Sequence, residues 1–421
     1  MMGIETESPA ATSAGRVFLK PRKALPFFGR HPWVLASAIE RVEPTNAASE
    51  HLLDLDGQVV DLLSDRGKFI ARGIYNSRSR IQVRLFTWSY GEELDEAFWR
   101  GKIEGAIALR RQIGYEPSAA ADRSTTATRL VFSEADGLSG LTVDRYGDYL
   151  VVQATSLAVA HRLPMLTALL QELVQPRGII LRSDKAVLQL EGVEMSDALL
   201  AGELPGEALI VRENGLEYEL DLSHGQKTGF YLDQRENRRA AADYMQSPRV
   251  LDMFCYTGGF SLAAAALGGA REVLGIDSSK KAIAQAQANA ERNKLGNVRF
   301  DVGDGFQTLE SLAAAGEKFD AVILDPPKFA RSRSKVNQAL MAYHRLNRLA
   351  LELLPPGGIL VTCSCSGGVS REDFLLTLSG VSQKTGRDLQ VLEQRGAAAD
   401  HPVSTTCLET EYLKCFICRA G

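Results

Sequence analysis

No apolar run in the 421 residues approaches the roughly 18 needed to cross a bilayer, so no membrane-spanning helix is expected. The polar start, residues 1–15, carries Glu5 and Glu7 and lacks the basic flank and apolar core of a signal peptide. It reads as a disordered lead-in, and the expected compartment is the cytoplasm. Cysteine is sparse: six in a chain this long do not resemble a disulfide framework. Cys363-Ser-Cys365 and Cys415-Phe-Ile-Cys418 have no standard finger spacing, and the second pair lies in 412–418, which reads as a terminal strand. A closed zinc site needs four converging ligands, so no metal is expected. Excess positive charge is missing too. With a net charge of −4, a nucleic-acid partner would need local basic patches. Repeats and low-complexity tracts are absent, and 45% hydrophobic with 24% charged residues is the composition of a soluble globular protein.

The length implies two or three domains, and three segments emerge after the lead-in. In 16–90, short apolar runs alternate with turns: Val17-Phe-Leu, Leu52-Leu-Asp-Leu, Val59-Val-Asp-Leu-Leu, Phe69-Ile-Ala-Arg-Gly-Ile-Tyr and Ile81-Gln-Val-Arg-Leu-Phe. That pattern predicts a small β-rich barrel. Its early part interleaves Lys20, Arg22, Lys23, Arg30 and His31 with Phe27, Phe28 and Trp33. Such a surface suits RNA, whose phosphates want cations and whose unstacked bases want flat apolar faces. The same residues also fit a solvated face over a core of aromatics. In 91–205, helical stretches at 94–113 and 157–174 mix with strand-like runs at 141–144, 149–153 and 178–182, giving a small α+β domain. In 206–421, two strand patterns (209–212, 217–222) precede a regular alternation. Strands at 250–254, 272–276, 298–302, 321–324 and 358–362 are separated by helices including 261–267, 279–293 and 339–354. This describes a parallel sheet covered on both faces.

In such sheets ligands sit beyond the carboxyl ends of the strands. The first strand ends in Asp252-Met-Phe254-Cys-Tyr256-Thr257-Gly258-Gly259, where paired glycines allow a tight turn and close approach to a ligand. The second ends at Asp277, 18 residues after Gly259 and near the offset at which an acid meets a ribose diol. Either feature alone would suit a dinucleotide enzyme. The loop lacks Gly-x-Gly-x-x-Gly, however, and so lacks the amides that cradle a pyrophosphate. Asp304, after the third strand, could accept the adenine amino group or simply cap a helix. Together these point to S-adenosylmethionine.

After the fourth strand comes Asp325-Pro326-Pro327-Lys328-Phe329, whose prolines stiffen the loop and fix the carboxylate. After the fifth comes Thr362-Cys363-Ser364-Cys365-Ser366-Gly367-Gly368. A cysteine beside a fixed carboxylate suits methylation at carbon. Cytosine C5 becomes enamine-like when a thiolate adds to C6, and an acid near N3 neutralises the charge created. Cys365 is expected to be the nucleophile and Asp325 the acid. One of the two cysteines is expected to be structural.

At these residues the sequence resembles the bacterial 23S ribosomal RNA cytosine-5 methyltransferases of the RlmI type, over nearly the whole chain from Arg16. In that family a PUA domain, a small central domain and a class I (Rossmann-like) methyltransferase domain follow one another. His31-Pro-Trp33 and Ala71-Arg-Gly-Ile-Tyr75 resemble its PUA motifs; Glu134-Ala-Asp-Gly-Leu138 and Asp144-Arg-Tyr-Gly147 resemble its central motifs. His224-Gly-Gln-Lys227-Thr-Gly229-Phe-Tyr-Leu-Asp233-Gln234-Arg235 is similar to its most distinctive signature. The resemblance implies that this segment lies over the cofactor, with Gln234 near the methionine part. Asp400-His401-Pro402 resembles a loop near the substrate mouth. Related enzymes carry the nucleophile in Thr-Cys-Ser, which would point to Cys363, but by position from the strand's glycines Cys365 matches the RlmI type. Some related cytosine-5 enzymes have a second, release-assisting cysteine after the fourth-strand proline; here, as in the RlmI type, there is none, so another base must take the C5 proton.

The resemblance implies large-subunit ribosomal RNA as partner and S-adenosylmethionine as cofactor, with homodimers occurring in the family. The target base must be unpaired or flipped. Lys23, Arg30, His31, Trp33, Lys328, Arg331, Arg333 and His401 are the candidate RNA contacts, with Lys335 near them. Two rivals stand. One is an exocyclic-amine methyltransferase, which normally has an aromatic residue where Lys328 stands. The other is an inactive RNA-binding assembly factor, against which the set Asp277, Asp304, Asp325 and Cys365 argues.

Overall fold

Runs of four to seven residues rich in Val, Ile and Leu, broken by glycine and charged turns, make the first part of the chain a sheet. In the computed structural model, residues 13–45, 55–115, 125–206, 208–222, 230–246, 248–330 and 335–421 are described. Most of the lead-in, the strand residues 52–54, the signature residues 224–229, and Arg331 and Arg333 lie outside them. Six strands pair in the order Trp33–Leu35, Ile81–Thr87, Phe69–Tyr75, Val59–Leu63, Gly15–Leu19, Ile39–Pro44. Alternation sets the faces: Val60 and Leu62 point inward onto Val17, Leu19, Val34, Val83 and Leu85. Trp33–Leu35 and Ile39–Pro44 were not legible, the first being three residues long and the second mostly exposed.

A second sheet of five strands runs Ala198–Gly202, Gly178–Leu181, Tyr149–Ala154, Leu141–Tyr146, Ala127–Phe132. The helices Glu96–Gln112 and Leu163–Val174 cover one face through Trp99, Ile103, Leu166 and Leu170. The helix expected at 157–174 is broken into Leu157–Ala160 and Leu163–Val174. Pro164 has no amide hydrogen to give, so it starts a new helix rather than sitting inside one. The other face of this sheet (Tyr146, Tyr149, Val151, Ile180) shares a core with Tyr218, Phe230 and Val250 of the following segment.

That segment builds a seven-stranded sheet: β1 (Arg249–Met253), β2 (Glu272–Asp277), β3 (Val298–Val302), β4 (Ala321–Leu324), β5 (Ile359–Ser364), β6 (Leu389–Arg395) and β7 (Lys414–Ala420). The spatial order is β3-β2-β1-β4-β5-β7-β6. β1 to β5 are parallel and continuously apolar where both faces are covered, as in the wholly buried β4. β7 and β6 are antiparallel additions at one edge. β6 escaped the sequence reading because, half exposed, it alternates Leu, Val and Leu with Gln and Glu. The helices Gly305–Ala314 and Arg371–Thr385 were also missed, though Ser370 and Asp373 form a capping box for the second. No helix among the described residues is long and apolar enough to cross a membrane.

Candidate active site

β1 and β4 are neighbours, but the chain leaves them towards opposite halves of the sheet, so their following loops part. The result is a crevice of about 760 Å³ at the carboxyl ends of the strands, within the roughly 300–1,000 Å³ usual for small-molecule sites. From β1 to β3 come Phe254, Tyr256, Asp277, Asp304, Gly305 and Phe306; from β4 and β5 come Asp325, Pro326, Pro327, Lys328, Phe329 and Cys365. Tyr231, Asp233, Gln234 and Tyr412 also line it.

The loop after β1 is held in an uncommon shape. Phe254 and Tyr256 have φ of 64° and 51°, conformations costing about 1–3 kcal/mol each in non-glycine residues. Backbone bonds fix them: Cys255 N–H donates to Ile276 O (3.0 Å) and Tyr256 N–H to Asp277 Oδ2 (3.0 Å). Asp277 Oδ1 also accepts from Ser279 N–H (2.8 Å). Asp304 Oδ1 caps the helix Gly305–Ala314, accepting from the amides of Phe306 and Gln307. The cap is made, and with about four acceptor positions the Asp304 carboxylate keeps capacity for a ligand donor.

Gly258 and Gly259 differ from expectation. They lie behind the lining with Asp252 and Thr257, and their missing side chains make room for protein. Gly258 has φ 88°, and a Cβ there would stand 2.9 Å from Leu262 and Phe300; at Gly259 it would meet Arg238 Nε at 2.6 Å. The glycines that face the crevice are Gly303 and Gly305, and at Gly305 a Cβ would overlap the Phe254 ring. Asp252 is fully buried, accepts from Ser261 Oγ (2.5 Å), and burial pushes its carboxyl up to about 7.

Asp325 and Cys365 line the same crevice. Gln234 Nε2 donates to Asp325 Oδ1 (2.9 Å), and Gln234 Oε1 is held by Asn237 Nδ2 (2.6 Å). Burial, then the charge of Asp233, pushes Asp325 up to about 7, so a protonated carboxyl is available near neutrality. Cys365 Sγ lies 3.8 Å from the Pro326 carbonyl, beside the same loop. Burial, then Asp325 and Asp233, push its thiol up to about 12, with Lys328 opposing. Cys363 is the structural member of the pair, fully buried in β5 opposite Cys415 of β7.

Several expected contacts lie elsewhere. His401 is buried, with Nδ1 2.9 Å from Asp400 Oδ1 and its ring against Phe132, and does not line the crevice. Asp400 accepts from Arg235 Nη1 (3.1 Å), Thr128 Oγ1 (3.0 Å) and Arg129 N–H (3.0 Å). The family loop thus clamps the signature segment onto the central sheet. Trp33 Nε1 donates to Glu134 Oε1 (2.9 Å) and His31 Nε2 lies 3.4 Å from Glu409 Oε2, so both join the N-terminal sheet to its neighbours. Lys23 and Lys328 are exposed, the latter at the crevice; Arg30 is exposed and borders a separate cleft of about 510 Å³ with Lys102. Tyr231, Phe306 and Tyr412 went unrecognised as lining residues. The only signal was their adjacency to motif residues Asp233 and Asp304 or to the last strand.

Residues 138–402 match the S-adenosylmethionine-dependent methyltransferase family, and residues 17–88 a PUA-like domain. The chain belongs to the S-adenosylmethionine-dependent methyltransferase family. It is 38% identical over 392 residues to the Ribosomal RNA large subunit methyltransferase I of Shigella dysenteriae serotype 1 (strain Sd197), covering 93% of this chain and 95% of that protein. The same identity and coverage hold for that of Escherichia coli O157:H7. In fold it matches the methyltransferase SMU.776, solved with SAH, at a TM-score of 0.81 and 24% identity, over 96% of this chain and 99% of that one. The resemblance read from the motifs therefore extends over the chain. As a methyltransferase of this family, the protein uses S-adenosylmethionine. The crevice suits that molecule: carboxylates Asp277 and Asp304 could take hydroxyl and amino hydrogens, and the rings of Phe254 and Phe306 offer flat apolar faces.

Proposed function

We propose that this methyltransferase forms 5-methylcytosine in large-subunit ribosomal RNA. The observation carrying this reading is the shared crevice of Cys365 and Asp325, with the sulfur beside the Asp325-Pro-Pro loop. The relatives' name, ribosomal RNA large subunit methyltransferase I, and the PUA-like domain support an RNA substrate. S-adenosylmethionine supplies an electrophilic methyl group. On this reading Asp277 takes the ribose hydroxyls, Asp304 the adenine amino group, and Tyr256 and Gln234 the methionine end. Asp252, Thr257, Gly258 and Gly259 shape the loop from behind.

The Cys365 thiolate adds to C6, and Asp325 gives its proton to N3, leaving C5 nucleophilic. A thiol pushed up to about 12 is largely unreactive until substrate is seated, which protects it from adventitious alkylation. Lys328 at the crevice, Lys23 and Arg30 on the surface, and Arg331 and Arg333 supply cations for phosphates. His31, Trp33 and His401 act by holding the parts together. A ribosomal substrate is consistent with a cytoplasmic location, and the family's homodimer is testable by sedimentation.

The test is trapping with RNA containing 5-fluorocytidine, whose C5–F bond blocks the final elimination. A denaturant-stable adduct in the wild type that disappears in Cys365→Ala is expected. An active enzyme that gives no adduct is instead an amine methyltransferase.

A further inference from the structure

If the reading above holds, C5 must lose a proton after methylation, and the Asp325-Pro326-Pro327-Lys328 loop offers no second cysteine for release. One carboxylate in the crevice has no other employment. Asp233 Oδ1 is buried and has no hydrogen-bond partner among the described residues. An unsatisfied buried carboxylate oxygen is costly unless a bound molecule completes it. Its other oxygen accepts from the Tyr412 hydroxyl (2.5 Å), and its backbone carbonyl from Ala398 N–H (2.8 Å), so the group is aimed rather than loose.

Its side of the crevice matters. Tyr412 lies two residues before β7, which pairs with β5, the strand leading to Cys365. Asp233 therefore borders the crevice near the sulfur, on whose thiol its charge acts. A methyl group arriving on one face of C5 bends the C5 hydrogen to the opposite face, so the base has to stand across from the methyl donor. We propose that Asp233 is the base that removes the C5 proton.

In that step Asp233 Oδ1 takes the proton, the C5–H electron pair becomes the C5–C6 double bond, and the C6–S bond breaks to release the Cys365 thiolate. Passing the proton on to the departing thiolate, or to water, and returning the N3 proton to Asp325 restore the starting enzyme. The charge of Asp233 also helps keep the proton on Asp325.

The test uses Asp233→Asn in the full-length enzyme, with unmodified ribosomal RNA and S-adenosylmethionine. Methyl transfer should occur once and then stall. A denaturant-stable, methylated protein–RNA complex should accumulate, turnover should fall at least about 10²-fold, and cofactor affinity by calorimetry should stay within about twofold. Near-normal turnover overturns the proposal. So does loss of methylation without a complex, loss of cofactor affinity, or new methylation of uridine, which would mean that Asp233 reads the cytosine amine. Should the variant fail to fold, Tyr412→Phe, which unfixes the carboxylate, should accumulate part of the same complex, and none would refute the idea. Absence of a 5-fluorocytidine adduct in the wild type would sink the cytosine reading itself, whatever Asp233→Asn does.

Discussion

Iodoacetamide should report the electrostatics of the crevice directly, because Cys365 is the one cysteine of six that is not fully buried. Its thiol stands at about 12 against an ordinary 9.0. Three units correspond to about 4 kcal/mol, and the thiolate fraction at pH 8 falls from roughly 10⁻¹ to roughly 10⁻⁴. Solvent reaches part of the crevice and screens some of this, so alkylation on the order of 10²–10³ slower than a free thiol is expected. A raised value means the reactive form is scarce until the pH nears it, so the rate should climb about tenfold per pH unit from 7 to 10 without levelling. Charge variants separate electrostatics from mere obstruction. Asp325→Asn and Asp233→Asn remove repulsion and should speed alkylation, whereas Lys328→Ala removes attraction and should slow it. Mass spectrometry of the Cys365 peptide across pH gives the rates. A plateau below pH 9, or charge variants acting in the opposite directions, would refute the reasoning.

Three further outcomes follow from the same geometry. Asp325→Asn should lower methylation about 10²–10⁴-fold while raising thermal stability: its carboxyl is pushed up to about 7 from 3.8, so ionisation costs the folded state increasingly between pH 4 and 7 and by a constant amount above. The melting-temperature gain should thus be larger at pH 8 than at pH 5. Asp400→Asn should cost about 1–3 kcal/mol in denaturant unfolding, since it removes one of the two carboxylates facing the buried Arg235 and leaves Glu213 at 4.0 Å. Arg235 and His401 hold Asp400 well below the usual carboxylate range, so its contribution is present at neutral pH and is lost only on acidification below about pH 4. Gly305→Ala should weaken S-adenosylmethionine binding by tenfold or more in calorimetry with little loss of fold, because the new Cβ displaces the Phe254 ring at the crevice wall.

The catalytic half was legible because its parallel strands are buried on both faces and read as apolar runs, and because their carboxyl ends carry the chemistry. Asp277, Asp304, Asp325 and Cys365 converge as their positions at strand ends imply. Edge elements were less legible: β6 alternates polar and apolar residues and Ile39–Pro44 is mostly exposed, so neither carries a run. Partners distant in sequence were not legible at all. Nothing local to His401 says that Asp400 will be claimed by Arg235 and Arg129, or that Phe132 will cover the ring. The same holds for Gly258 and Gly259, whose neighbours Phe300 and Arg238 come from other parts of the chain. Asp233 was visible as a motif residue, but its free oxygen and its bond to Tyr412, 179 residues away, exist only in three dimensions.

Carbon methylation through Cys365 is tested most directly with RNA tritiated at cytidine C5. Every methyl group installed should release one tritium to water, and Cys365→Ala should abolish both together. Methyl incorporation with the tritium retained would contradict the account.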